Sequence, residues 1–134
     1  MTKQLLIVAD KLKYAGLRPT RQRILLGSLL WREEDRHVTA EQLHTEAKIA
    51  GMPVSMATVY NTLHQFVDAG LLHQVVIGGG SSYFDTNTKP HYHFLYETSG
   101  ELEDIPAENV QLPDMPMPKS GAIQSIDVLI KVRA

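Results

Sequence analysis

The stretch SMATVYNTLHQFVDAGLLHQVVIGGGSSYFD, residues 55–85, decides how this chain folds. Ser55 is a strong helix N-cap, and the helix it opens runs to about Ala69, with Gly70 at its end. Val59, Leu63, Phe66 and Val67 fall on one face of that helix, while Thr58, Tyr60, Asn61, His64 and Gln65 lie largely on the others. Leu72–Ile77 is rich in β-branched residues, Gly78-Gly79-Gly80 reads as a turn, and Ser82–Asp85 reads as a second strand. The segment therefore predicts a helix followed by a β-hairpin.

Upstream, residues 3–15 have the apolar spacing of a helix (Leu5, Leu6, Val8, Ala9, Leu12) stopped by Gly16. Thr20 caps a second helix carrying Ile24, Leu25, Leu29 and Leu30 through Trp31, and the polar run Arg32–His37 reads as a loop. Thr39 and Gln42 form a capping box ahead of Leu43, Ala47 and Ile49, and Gly51 closes that third helix. Met52-Pro53-Val54 is a short turn into the helix at 55. Three helices, a tight turn, a fourth helix with an aromatic and an amide facing outward, then a hairpin: this order predicts a winged helix-turn-helix.

Downstream of Pro90, His91–Tyr96 alternates as a strand, and Glu101–Ile105 is placed to pair with it. Three prolines in LPDMPMP (112–118) exclude a continuous helix, and Met115 and Met117 there read as a packing linker. Ile126, Val128, Ile130 and Val132 alternate with Ser125, Asp127, Leu129 and Lys131, as in a strand with one mainly apolar face. A single small sheet is underpacked, so dimerisation through it is expected. The fold class read from these patterns is α+β: an N-terminal winged helix-turn-helix domain (1–84), a hinge (85–90) and a small C-terminal α/β dimerisation domain (91–134).

The 134 residues are 43% hydrophobic, enough for two small units, each marginal without a metal or a partner subunit. The first sixteen residues lack a signal-peptide core, and no apolar run approaches the ~18 residues of a membrane span. A soluble cytoplasmic location with no membrane partner is the expectation. Cysteine is absent, which removes disulfides, thiolate zinc sites and thiol redox switching. Any bound metal must use imidazole and carboxylate. Residues 1–70 hold nine Lys and Arg against seven Asp and Glu, and residues 71–134 hold four against eight. That split suits a DNA-facing half and a cation-collecting half.

Two groups of residues carry chemistry. Ser55, Thr58, Tyr60 and Asn61 put hydrogen-bonding side chains near the N-terminal end of the fourth helix, where a major-groove reader needs them. An ordinary amphipathic helix with a solvated face fits the helix by itself; the helix-turn-helix context favours DNA. His91-x-His93 places two imidazoles on one face of a strand, with Asp85 before and Asp104 after, and His37 in the loop ahead of the third helix. Mixed nitrogen and oxygen donors suit Mn(II), Fe(II) or Zn(II), although an exposed histidine pair without metal has the same spacing. His64 reads as solvated or DNA-facing, and His44 and His73 as ordinary surface residues.

GLRPTRQRILLGSLL, HVTAEQLHTEA and SMATVYNTLHQFVDAGLL resemble the DNA-binding domain of the ferric uptake regulator family, and the glycine wing, YFD and HYHF followed by ELEDIP extend the resemblance over nearly the whole chain. It implies a homodimeric regulator binding an AT-rich inverted-repeat operator in double-stranded DNA, with a tetramer left open. It puts a regulatory metal site on His37, Asp85, His91, His93 and Asp104, a base-contacting role on Tyr60, and a minor-groove contact on Arg18.

The chain also departs from the family pattern. Tyr96 and Ser99 stand where a structural zinc site of four cysteines would begin, Asn61 stands where many relatives carry Arg, and the proline-rich segment replaces a long helix. These features are most similar to the iron response regulator branch. That branch implies control of iron and haem genes, DNA binding when iron is scarce, and release on sensing haem through His91 and His93; Tyr92 between them is a further candidate ligand or a weakening of the site. The alternatives are a peroxide-sensing, Fe- or Mn-dependent repressor, whose branch favours aspartates such as Asp85 and Asp104, and more remotely a small non-haem iron enzyme or a haem carrier. A helix-turn-helix and the outward Tyr60 and Asn61 serve neither of the last two.

Overall fold

The computed structural model describes residues 2–32 and 34–134; Met1 and Glu33, the latter inside the expected loop 32–37, lie outside the described residues. The chain divides into two units, one ending at Thr88 and one spanning Lys89–Ala134.

The first unit is built from α1 (Lys3–Tyr14), α2 (Arg21–Leu30), β1 (His37–Val38), α3 (Ala40–Ile49), α4 (Met56–Asp68), β2 (His73–Gly78) and β3 (Ser81–Asp85). Its helices begin where hydroxyls cap them: Thr2 accepts from the Leu5 N–H, Thr20 from Arg23, Thr39 from Gln42 and Ser55 from Thr58. The Thr39–Gln42 capping box is reciprocal, so two backbone N–H groups that the helix leaves unpaired are satisfied at once. Leu12, Leu26, Leu30, Leu43, Val59, Leu63 and Phe66 are fully enclosed in one core shared by the four helices and Phe84 of β3. Each such side chain contributes about 1.5–3 kcal/mol. Trp31 packs at 5.1 Å on Phe66, and the Lys11 ammonium sits 4.7 Å from the indole centroid. Gly27 is the close-approach point of α1 and α2. A Cβ there would meet the Val8 Cγ1 and the Trp31 ring, each at 2.7 Å.

Burial corrects the helical spacing in detail. In α2 it is Leu26 that is fully buried, with Leu25 only half so, and in α1 Leu6 is half exposed. The helices' apolar stripes are narrower than their apolar content.

The wing sheet has the order β1-β3-β2, all antiparallel. Its hairpin turns through Gly78, Gly79 and Gly80, at φ 101°, 62° and 78°, a left-handed run that side chains disfavour. His37 is not in a loop. It opens β1, whose pairing with β3 is extended by Arg36: its N–H reaches the Thr86 hydroxyl at 2.8 Å and its carbonyl accepts from the Thr86 N–H at 2.9 Å.

The second unit is a three-stranded sheet of order β5-β4-β6, with β4 (His91–Tyr96), β5 (Leu102–Pro106), a 3-10 turn at Ala107–Asn109 and β6 (Leu129–Val132). β4 runs antiparallel to β5 and parallel to β6. The last strand is shorter than its alternation predicts: Ile126 lies before it, Ile130 is exposed, and Leu129 and Val132 are half-buried. Leu95, Leu102 and Ile105 are the unit's buried apolar residues. Residues 112–118 form no helix, as the prolines require, and Met115 and Met117, expected to pack, are exposed within this chain. No helix among the described residues is long and apolar enough to cross a membrane.

Candidate functional site

In the second unit, strand alternation and register assemble a cluster of metal-ligand type. His91 and His93 are two apart on β4, so both imidazoles leave the same face. Asp104 pairs directly with His93 across the β4–β5 ladder and shares that face. The outcome is convergent: His91 Nε2 lies 3.6 Å and His93 Nε2 3.4 Å from Asp104 Oδ1, with the two rings 4.5 Å apart. The ring of His91 is oriented by its backbone, because Nδ1 donates to the Lys89 carbonyl at 2.6 Å. His93 is buried. Two imidazole nitrogens and one carboxylate oxygen, all within 4.8 Å of one another, are a donor set that fits a divalent first-row ion. Tyr92, on the alternate position of β4, leaves the opposite face and does not share the cluster.

In the first unit, Asp85 ends β3 as a buried carboxylate, and its Oδ1 accepts the Asn87 N–H at 2.9 Å. His37 on β1 and His73 on β2 are both its Cα partners, one on either side. His73 is thus part of a row with Asp85 rather than an ordinary surface residue, and His44 also has a structural place, its Nε2 lying 3.1 Å from the Val54 carbonyl in the turn before α4. His37 is held from behind by its neighbour. The Arg36 guanidinium grips Glu46 of α3 through both terminal nitrogens, one at 2.9 Å, and donates to the Leu29 carbonyl at 3.1 Å. The hydrogen bonds between the two side chains, against a smaller effect of burial, hold the Glu46 carboxyl below its ordinary range and the Arg36 guanidinium above its own.

The outward side of α4 forms the other candidate site. Tyr60 and Asn61 are exposed, as their positions predicted. Ser55 and Thr58 are engaged in capping, with Ser55 donating its hydroxyl proton to the Thr58 oxygen at 3.0 Å, which leaves the Thr58 O–H to donate outward. Thr62, not singled out by the sequence, is buried. Arg18, Thr20, Gln22, Arg23, Thr58, Asn61, Thr62 and Gln65 line a polar cleft of about 520 Å³ between the start of α2 and α4. Arg23 is fixed there: its Nε and a terminal nitrogen donate to Gln65 Oε1 at 3.2 and 3.0 Å, and the other donates to the Arg18 carbonyl at 2.9 Å. Guanidinium beside helix N-termini makes this cleft suited to a phosphodiester.

Residues 14–132 match the profile of the ferric uptake regulator family. The chain belongs to that family. The ferric uptake regulator family comprises transcription regulators rather than enzymes. Over 101 residues the chain is 34% identical to a ferric uptake regulation protein of Vibrio anguillarum, covering 75% of this chain and 68% of that protein. Over 95 residues it is 36% identical to the peroxide-responsive repressor PerR of Staphylococcus aureus, covering 70% of this chain and 63% of that one. Among solved structures, the ferric uptake regulator of Pseudomonas aeruginosa with manganese superposes with a TM-score of 0.70 at 27% identity, covering 96% of this chain and 98% of that chain.

The contacts that fix Arg23 on Gln65 and Arg36 on Glu46 were not legible in the sequence. Arg23 carried a faint signal, a cation one turn beyond an N-cap, but its fixation by Gln65 joins residues 42 apart. The Asp85 row depends on strand register, which spacing does not encode.

Proposed function

We propose that this chain is a metal-responsive transcription regulator that binds an AT-rich inverted-repeat operator as a homodimer. The observation that carries the reading is the convergence of His91 and His93 Nε2 on one Asp104 oxygen, in a chain whose other unit is a winged helix. His91, His93 and Asp104 would hold Mn(II), Fe(II) or Zn(II), with His37 and Asp85 as the ligands supplied by the first unit. The ion would supply the positive charge that lets these carboxylates and imidazoles share one site. The chain's own residues do the rest. Lys89 orients His91, Arg36 and Glu46 fix the strand bearing His37, Tyr60 and Asn61 meet base edges, and Arg18 and Arg23 meet backbone phosphates. The Pseudomonas aeruginosa relative, solved with manganese, supports a divalent ion as the ligand of such a site.

The similarity to the iron response regulator branch adds haem as a releasing signal, with His91 and His93 as its ligands; the PerR relative adds peroxide. The cysteine-free composition favours the first. Fluorescence anisotropy on an AT-rich inverted-repeat duplex tests the whole reading. Binding should tighten with Mn(II) and weaken on chelation. Loss on adding haem selects the haem-sensing branch, and loss on peroxide with Fe(II) selects the other. Binding indifferent to metal and to both signals overturns the reading.

A further inference from the structure

The reading of α4 as the DNA-facing helix leaves unanswered what fixes the ring of Tyr60, which is 42% exposed. An exposed tyrosine samples several rotamers, and a base contact made by a mobile ring loses affinity to the ordering it demands. The structure offers a specific restraint. His64, one helical turn on, packs against Tyr60 in a tilted contact, with ring centroids 4.6 Å apart at 58°. The same imidazole stands edge-on to Phe84 at 5.7 Å and 88°. Phe84 is anchored: it is buried in the core of the first unit, and on the central strand of the wing sheet it is paired with Val38 on one side and Gln74 on the other.

We infer that His64 is a positioning residue, a half-buried ring wedged between the core and Tyr60 that holds the tyrosine in the orientation used to read a base. The inference rests on Tyr60 being a base contact and goes beyond it by naming what sets its geometry. An i, i+4 aromatic pair is common on helices. What distinguishes this one is the third ring: the imidazole is braced on its far side by a side chain that strand pairing and burial immobilise. Offset and edge-on ring contacts of this kind are worth enough to bias a rotamer equilibrium severalfold.

The test uses the full chain with Mn(II), and measures affinity for an inverted-repeat duplex and for a scrambled duplex of equal composition over a range of salt. His64→Ala should lower the ratio of the two affinities about 3- to 10-fold while leaving scrambled-duplex binding and the salt slope unchanged. His64→Phe, which keeps a ring but no hydrogen-bonding nitrogen, should restore the ratio to within about 2-fold. An unchanged ratio in His64→Ala overturns the inference. So does a salt slope reduced by about 1 that Phe does not restore, since that marks a phosphate contact. Tyr60→Ala run alongside separates the two levels. If it leaves the ratio intact, the base-contact reading itself fails; if it lowers the ratio and His64→Ala does not, only the positioning role fails.

Discussion

The Nδ1 of His91 lies 2.6 Å from the carbonyl oxygen of Lys89, an acceptor that requires the proton on Nδ1, so that the neutral imidazole has its lone pair on Nε2, the nitrogen facing Asp104. The backbone thus sets the tautomer a metal ligand needs. His91→Ala and Asp104→Ala should each lower Mn(II) affinity by about 100-fold or more, measured by competition with a chelator. Tyr92→Phe, on the other face of the strand, should leave it within about 3-fold. Equal losses in all three variants would place the ion elsewhere.

The proposed DNA-facing surface should separate into two kinds of contact. Arg23→Ala removes a fixed cation from the polar cleft, so binding should weaken evenly across sequences and the salt slope should fall by about 1. Tyr60→Ala should instead reduce operator affinity about 10-fold or more with the slope preserved. Salt titrations of both variants on one duplex distinguish the two.

Arg36 and Glu46 couple stability to pH. The Glu46 carboxyl is held below its ordinary 4.5, so the folded chain binds fewer protons than the unfolded one in that range. Its contribution is present above the unfolded value and is lost as pH falls through the lower folded value. Arg36, shifted upward, stays charged through the acid and neutral range and adds no slope there. Both side chains keep more than a quarter of their exposure, and solvent screening limits the pair. Glu46→Gln should cost about 1 kcal/mol at pH 7, and the difference from the parent should shrink as the pH drops below that range in urea titrations.

Gly27→Ala sets two effects against each other. Helix propensity favours alanine by about 1 kcal/mol. The added methyl meets Val8 and Trp31 at 2.7 Å, both packed in the core, and overpacking of that sort costs about 1–3 kcal/mol. The clash should win. The urea midpoint should fall, and Trp31, the single tryptophan, should report the shift in its own emission.

The helices and wing were legible because local chemistry specifies them: a capping hydroxyl, an apolar stripe and a closing glycine all sit within a few residues of one another. The placing of His91 and His93 together was legible for the same reason, since the two need only alternation to share a face. What escaped was set by partners far along the chain. β1 looked like loop because two residues carry no period, and only Asp85 and Phe84 across from them make a strand. β6 was overextended because Ile126 and Ile130 alternate correctly yet face out. His73 looked ordinary until register set it opposite Asp85, and the Arg23–Gln65 contact has no trace in either residue's neighbourhood.

The strand that carries both histidines is the middle one of its sheet, and His93 is paired with Asp104 on one side and Leu129 on the other. Amide protons of such a strand exchange only when a neighbour peels away, so β4 should be among the slowest-exchanging segments of its unit. An arriving cation would then meet two imidazoles already aligned. Its capture would be timed by the shedding of its own hydration water rather than by any folding of the polypeptide around it.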